Sequence, residues 1–135
     1  MKFVSIDADG TKNVIYAEDG EQGSYNAIKG YINDTIERVH LHLHDADMWI
    51  NDNGKALQLD QNPMATAMWV EMYGKTDVIV GGVIITGGAD EEGNTLGLTD
   101  EQVDTFLQWD EEVVVGLIGE RVLFMYVIGE AEDKF

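Results

Sequence analysis

The sequence contains no cysteine, a single proline and only eight basic residues. Without cysteine the chain has no disulfide bridge, no thiolate zinc site and no cysteine nucleophile. It also lacks any hydrophobic run that approaches the roughly 18 residues of a membrane-spanning helix, and Asp7 interrupts the amino terminus before a signal core can form. These absences predict a cytoplasmic protein with no membrane segment.

The scarcity of basic residues leaves a strongly negative chain. Twenty-six aspartates and glutamates outweigh the bases to a formal net charge of -18, and most of that charge lies in the second half. Such a field repels nucleic acid and anionic lipid, so we expect direct binding to neither, whereas it speeds encounter with a basic protein partner. Solubility, or the acid-biased proteome of a salt-adapted cell, would explain the same charge without any partner.

The length and the apolar content of the chain predict one folded domain. A chain of 135 residues buries roughly 68% of its unfolded surface, which one core can account for. Its 44% hydrophobic content is too high for a disordered acidic tail. No internal repeat, low-complexity segment or linker divides the sequence. We therefore predict a single α+β domain over residues 1–135.

The most apolar stretch, residues 77–86, is predicted to form the central strand of a mixed β-sheet covered by two or three short helices. It holds six β-branched aliphatic residues, a composition typical of a strand that is buried on both faces. Gly81-Gly82 interrupts it and Gly87-Gly88 follows it. Neither pair has the lysine or the spacing of a phosphate-binding loop, so a bulge or close packing is the favoured interpretation.

Further elements are predicted on both sides of this strand. Alternating residues predict strands at residues 2–6, 11–17 and 36–45, and Asn53-Gly54 predicts a hairpin turn between residues 48–50 and 55–59. Three helices are predicted to follow the N-cap residues Ser24, Asn62 and Thr99, the last with a capping box.

The segment after Trp109 is compatible with two strands at residues 113–118 and 121–128, or with a helix over residues 123–128. An exposed strand there would offer an unpaired edge for homodimerisation through residues 113–128.

A series of short motifs in the middle of the chain resembles a domain-of-unknown-function family of small proteins that is common on phage genomes and mobile elements. The resemblance covers about residues 2–107, and about residues 110–135 form a C-terminal extension beyond it. It implies an α+β domain in a viral or accessory setting and carries over no catalytic residue or cofactor. The motifs, in order, are Gly30-Tyr31-Ile32, Asn51-Asp52-Asn53-Gly54-Lys55, Asn62 with Ala65, Asp77 to Gly81, and Leu98-Thr99-Asp100.

All three histidines alternate along the strand predicted for residues 36–45. His40 and His44 would lie about 13 Å apart at ~3.3 Å per residue, so one metal ion cannot bind all three. A neighbouring pair with Asp45 or Asp47 could chelate an ion. The favoured interpretation, however, is that the histidines occupy the solvated face of the strand. An interface that responds to pH is a further alternative to a metal site. We assign no metal site and expect no cofactor.

Two further groups of side chains are candidates for binding. Methionines recur at helical spacing with Trp69 beside them. This pattern is typical of core packing, and an adaptable binding face is the alternative. Nine acids surround the helix predicted after Thr99, either as a solvated face or as an imitation of the phosphate spacing of DNA. The methionines are Met64, Met68 and Met72, and the acids are Asp90, Glu91, Glu92, Asp100, Glu101, Asp104, Asp110, Glu111 and Glu112.

No residue pattern indicates a reaction. Carboxylates are abundant, but sequence spacing cannot show the unequal environments that general acid and base roles require, so no catalytic residue is assigned. We expect a non-enzymatic accessory protein that binds a host or viral protein through its acidic surface. The alternatives are a DNA mimic that inhibits a nucleic-acid-binding protein, and a small-molecule- or metal-dependent activity.

Overall fold

The architecture was determined from a computed structural model that describes residues 1–109. The elements predicted after Trp109, the proposed homodimer interface at residues 113–128, and the acids Asp110, Glu111 and Glu112 all lie outside the described residues.

Five strands form one antiparallel sheet in the order β2-β1-β5-β4-β3. The α+β class is confirmed and β5 is the central strand, but the sheet is antiparallel in every pairing and not mixed. For β1–β2 and β3–β4 the reason is that each pair is joined by a connection too short for a parallel crossover. Strand β5 pairs antiparallel with both β1 and β4. The strands are β1 (Lys2–Ile6), β2 (Lys12–Tyr16), β3 (Ile36–Leu41), β4 (Ala46–Asn51) and β5 (Val83–Gly87).

Three helices are present within residues 1–109: α1 (Glu21–Ile32), α2 (Pro63–Tyr73) and α3 (Asp100–Leu107). The predicted caps of α2 and α3 are confirmed. The Asn62 side chain accepts the backbone N–H of Ala65 at the start of α2, and the capping box of α3 is complete. None of these helices combines the length and apolar composition that crossing a membrane requires.

Helices cover both faces of the sheet. Alternate side chains of β5 point in opposite directions, so Ile85 joins the core beneath α2 and α3 whereas Ile84 packs beneath α1 with Ile28. Met68 is fully buried in the larger core, and Met64, Trp69 and Met72 pack against it. The core interpretation of the methionine stripe is therefore confirmed.

The central strand is shorter than predicted because two glycines interrupt it. Val78 to Val80 are buried, yet this segment contributes only an isolated bridge between Val80 and Gln61. Gly81 has a φ of 77°, which is incompatible with a continuous strand. A Cβ on Gly82 would collide with the Tyr31 hydroxyl, so the interpretation of this pair as a site of close packing is confirmed.

The predicted start of the first helix is wrong by one turn. Helix α1 begins at Glu21 after Gly20, whose φ of 96° lets the chain turn into the helix. Ser24 lies inside the first turn, where its hydroxyl donates to the Glu21 carbonyl oxygen at 2.9 Å. Residues 21–23, which precede the predicted N-cap Ser24, are therefore part of the helix.

Two other predicted strands are also wrong. Strand β3 ends at Leu41, because residues 42–44 form a short 3-10 turn, followed by Asp45 in the left-handed region, that leads into β4. Leu43 is consequently 62% exposed. Residues 52–58 are turns and do not pair with β4, since both edges of β4 are already paired, to β3 and β5.

Candidate functional site

One end of the sheet brings three acidic segments together. At this end β5 finishes, β1 begins and the chain enters α1. The backbone N–H of Thr95 donates to the Glu21 carboxylate at 3.1 Å, which ties the loop after β5 to α1. The Lys2 ammonium lies 3.0 Å from Asp100 Oδ1, which ties α3 to β1.

We call this surface the acidic end. Its carboxylates come from the β2–α1 loop with the first residue of α1, from the loop after β5 and from the first turns of α3, and every one of these side chains is exposed. Its members are Glu18, Asp19, Glu21, Asp90, Glu91, Glu92, Asp100, Glu101 and Asp104.

Positive charge at the acidic end is limited. Within residues 1–109, its carboxylates form two ion pairs, one between Lys2 and Asp100 and one between the terminal ammonium of Met1 and Asp19 at 3.3 Å. Exposed pairs of this kind add little to the stability of a protein and are weakened by salt. Most of the negative charge is therefore available to a partner.

Besides Glu21, which accepts the Thr95 N–H, two more of these acids have a structural role. The carboxylate of Asp90 accepts the backbone N–H groups of Asn94 and Glu92, each at 2.9 Å, and these bonds hold the pKa of Asp90 below its usual range. Asp100 lies in the first turn of α3, where the helix dipole favours a negative charge. The carboxylates of Glu91 and Glu92 accept no hydrogen bond from any other side chain of residues 1–109.

The structure places every described acid of the predicted surface at this end. The loop and the helix are brought together because the backbone N–H of Leu98 donates to the Lys2 carbonyl oxygen at 2.9 Å, which leads the chain from the loop into α3. The sequence does not reveal that Glu18, Asp19 and Glu21 join this surface, since Glu21 and Thr95 are 74 residues apart. The acid content of residues 18–21 was the only signal for them.

A second feature lies at the opposite end of the sheet, where β1 and β4 finish and β5 begins. It is a cleft of about 320 Å³ with both polar and apolar walls. Two of its residues belong to the motif Gly30-Tyr31-Ile32 and one to the motif that begins at Asn51. The lining consists of Asp7, Tyr31, Ile32, Asn51, Leu59 and Gly82.

Tyr31 forms the polar wall of the cleft together with Asp7. Its hydroxyl donates to Asp7 Oδ1 at 2.5 Å and lies over Gly82, where the missing Cβ makes room for it. Burial, with the neighbouring Asp7 carboxylate as the next cause, raises the pKa of Tyr31 well above its usual range. The hydroxyl is therefore protonated at neutral pH.

Asn51 is fixed by a network behind the cleft. Its side-chain oxygen accepts the Asn53 backbone N–H at 2.8 Å, and its amide donates to Asp34 at 3.4 Å. Asp34 also accepts the Thr35 N–H at 2.7 Å and the Asn53 amide at 3.0 Å, and these two bonds lower its pKa. These bonds orient the Asn51 side chain at the wall of the cleft.

The histidines do not share one strand face, because only His40 lies in β3. His40 Nδ1 is 2.8 Å from the buried carboxylate of Asp47, and His44 Nε2 is 2.6 Å from Glu71. His42 is exposed in the 3-10 turn. Within residues 1–109, no three histidine, aspartate or glutamate side chains are grouped so as to hold a metal ion.

Together these features define a small acidic α+β domain, with a helical layer on each face of one antiparallel sheet and a distinct surface at each end. Residues 1–110 match the family described as a domain of unknown function, DUF3846, and the chain belongs to this family. The resemblance drawn from the short motifs is thereby confirmed. No curated protein and no solved structure matches the chain.

Proposed function

We propose that this chain is a non-enzymatic accessory protein, phage- or mobile-element-encoded, that binds a basic protein partner in the cytoplasm through the acidic end. The observation that supports the proposal is the convergence of nine exposed carboxylates from three segments on one surface, against two paired positive groups. A surface of this kind attracts a basic partner over about a Debye length, roughly 8–10 Å at ordinary salt.

The same geometry favours protein recognition over mere solubility. Charge that serves only solubility needs no particular arrangement, whereas the Glu21–Thr95 hydrogen bond and the backbone bond from Leu98 to Lys2 hold the acidic segments close to each other. The capping box likewise fixes the orientation of the first turn of α3. Fixed charges cost less entropy on binding than charges on a disordered loop.

The proposal is tested with two variants of equal net charge. The first neutralises the acidic end by Glu91→Gln, Glu92→Gln, Glu101→Gln and Asp104→Asn. The second neutralises four exposed carboxylates elsewhere by Asp9→Asn, Glu37→Gln, Asp52→Asn and Asp60→Asn. Both variants and the wild type are used to capture proteins from a lysate of the source cell at physiological salt.

The expected result is a basic protein that the wild type and the second variant retain and the first variant loses. If the same proteins bind all three chains, or if both variants lose them equally, the acidic end is not a recognition surface and the proposal fails.

A DNA mimic is the second candidate, and the density of exposed carboxylates at the acidic end supports it. In that case the captured protein would itself bind DNA, and added duplex DNA would displace it from this chain. A partner that duplex DNA does not displace would contradict the mimic and leave the broader proposal standing.

A further inference from the structure

The cleft around Tyr31 lies at the end of the molecule opposite to the acidic end, so a partner at the acidic end does not account for it. Its volume of about 320 Å³ is at the lower bound of small-ligand sites, roughly 300 Å³. Five separate parts of the chain contribute its lining. A site of this size suits one side chain or one small molecule.

The polar groups of the cleft are mainly hydrogen-bond acceptors. Asp7 contributes a half-buried carboxylate, and the Tyr31 hydroxyl directs its proton to Asp7 Oδ1, so the hydroxyl presents only its lone pairs to a ligand. No lysine, arginine or histidine from residues 1–109 lines the cleft. A ligand that brings hydrogen-bond donors and a positive charge would complement these groups.

The remaining walls are apolar. Ile32 and the partly exposed Leu59 flank the polar groups, and the ring of Tyr31 offers an aromatic surface. An aliphatic stem can lie against the two aliphatic side chains, while a planar cation stacks on or beside the ring. The network of Asp34 and Asn53 holds Asn51 in position, so the site is already formed in the free chain.

We propose that this cleft binds a guanidinium group carried on an aliphatic stem, with Asp7 as the counter-ion and Tyr31 and Asn51 as its flanking walls. A guanidinium fits these groups better than an ammonium. It is planar, more weakly hydrated and able to donate to a carboxylate while it stacks on an aromatic ring.

The proposal is tested by titrating the full chain with N-acetyl-arginine amide and following backbone amide resonances. Saturable shifts are expected at Asp7, Asn51 and Gly82. The matched control ligand is N-acetyl-citrulline amide, which has nearly the same shape without the charge. It should bind at least about tenfold more weakly, equivalent to ~1.4 kcal/mol.

Two charge-matched variants localise the effect. Asp7→Asn keeps an oxygen that accepts the Tyr31 proton but removes the charge, and it should weaken arginine-amide binding by about tenfold or more. Asp9→Asn removes a charge two residues away that does not line the cleft, and binding should stay within about twofold of the wild type because an exposed charge is screened. An amide spectrum that matches the wild type establishes that each variant is folded.

The source of the guanidinium is distinguished by two further ligands, agmatine and a capped Gly-Arg-Gly peptide. Tighter binding of the peptide indicates an arginine of a protein, and tighter binding of agmatine indicates a small molecule; either outcome supports the proposal. Absence of saturable shifts, equal binding of the citrulline ligand, or unchanged binding by Asp7→Asn overturns it. None of these outcomes depends on the acidic end, where Asp7 does not lie.

Discussion

The hydroxyl of Tyr31 occupies the space where any side chain on Gly82 would begin. A Cβ built on Gly82 would overlap that hydroxyl oxygen and lie 3.0 Å from Cζ of the same ring. The contact joins the last turn of α1 to the start of the central strand and closes one side of the cleft. It also explains why the chain has a glycine within its most apolar stretch.

The Gly82→Ala substitution should therefore destabilise the protein by about 1–3 kcal/mol, the usual cost of overpacking, as measured by urea denaturation. Gly30→Ala is the matched control, because Gly30 lies in α1 one residue before Tyr31 and a Cβ there meets nothing within 4 Å. The control should gain about 0.5–1 kcal/mol from improved helix propensity. Equal stability of the two variants would contradict the packing role of Gly82.

A second prediction concerns Asn62, which is fully buried between the start of α2 and the sheet. Its amide donates to the carbonyl oxygens of Ile6 and Gly81, each at 3.0 Å, while its oxygen caps α2. Asn62→Ala should cost about 2–4 kcal/mol in the free energy of unfolding, because it removes the cap and leaves two buried carbonyl groups without this donor.

Asn62→Asp provides the comparison, since it keeps the capping oxygen but loses the amide donor. It should be destabilised as well, through the buried charge and the lost donor. If Asn62→Asp were as stable as the wild type, the bonds to Ile6 and Gly81 would contribute nothing measurable.

A third prediction concerns His44, where the β3–β4 turn meets two helices. Its ring lies 2.6 Å from Glu71 of α2 and packs edge-on against Phe106 and Trp109, with ring centroids 5.5 and 5.6 Å away. His44→Ala should cost about 1–3 kcal/mol, measured as a shift of the urea midpoint. His42→Ala, an exposed neighbour in the same turn, should stay within about 0.5 kcal/mol of the wild type.

The hydrogen bonds that Asp34 accepts from Thr35 and Asn53 make the free energy of unfolding depend on pH. The pKa of Asp34 is lower in the folded chain than its ordinary value of 3.8, so its contribution is fully present above that value and is lost as the pH falls through the folded pKa. Asp34→Asn should therefore be less stable than the wild type at pH 7, and the difference should vanish at pH values below the folded pKa. A difference that persists unchanged in strong acid would contradict the network.

The sequence predicted best those elements whose signals are local. Asn62 before Pro63 and the pair Thr99 and Gln102 specify the starts of α2 and α3 through bonds within one turn, and both helices form as expected. The β1–β2 hairpin likewise forms from the two strands that alternation predicts at residues 2–6 and 11–17. In each case the contacts join parts of the chain that are close in sequence.

What the sequence did not predict depends on contacts between distant residues. The Asn53-Gly54 turn signal is genuine, but no hairpin forms because β4 is already paired on both edges. The acidic end was predicted only in part, because Glu18, Asp19 and Glu21 are far in sequence from its other members. Pairing of the strands in the sheet brings them close. The cleft was not predicted, because Asp7, Tyr31 and Gly82 meet only after folding.

If the proposed function is correct, the acidic end recognises a basic protein by the position of its charges and not by their sum. The most direct measurement is the affinity of the captured partner for the wild type and for the two charge-matched variants, as a function of salt. Neutralising Glu91, Glu92, Glu101 and Asp104 should weaken binding by about tenfold or more and flatten its salt dependence, whereas neutralising Asp9, Glu37, Asp52 and Asp60 should change the affinity by less than about threefold. Equal losses in both variants would mean that net charge alone attracts the partner, which would rule out recognition by the acidic end.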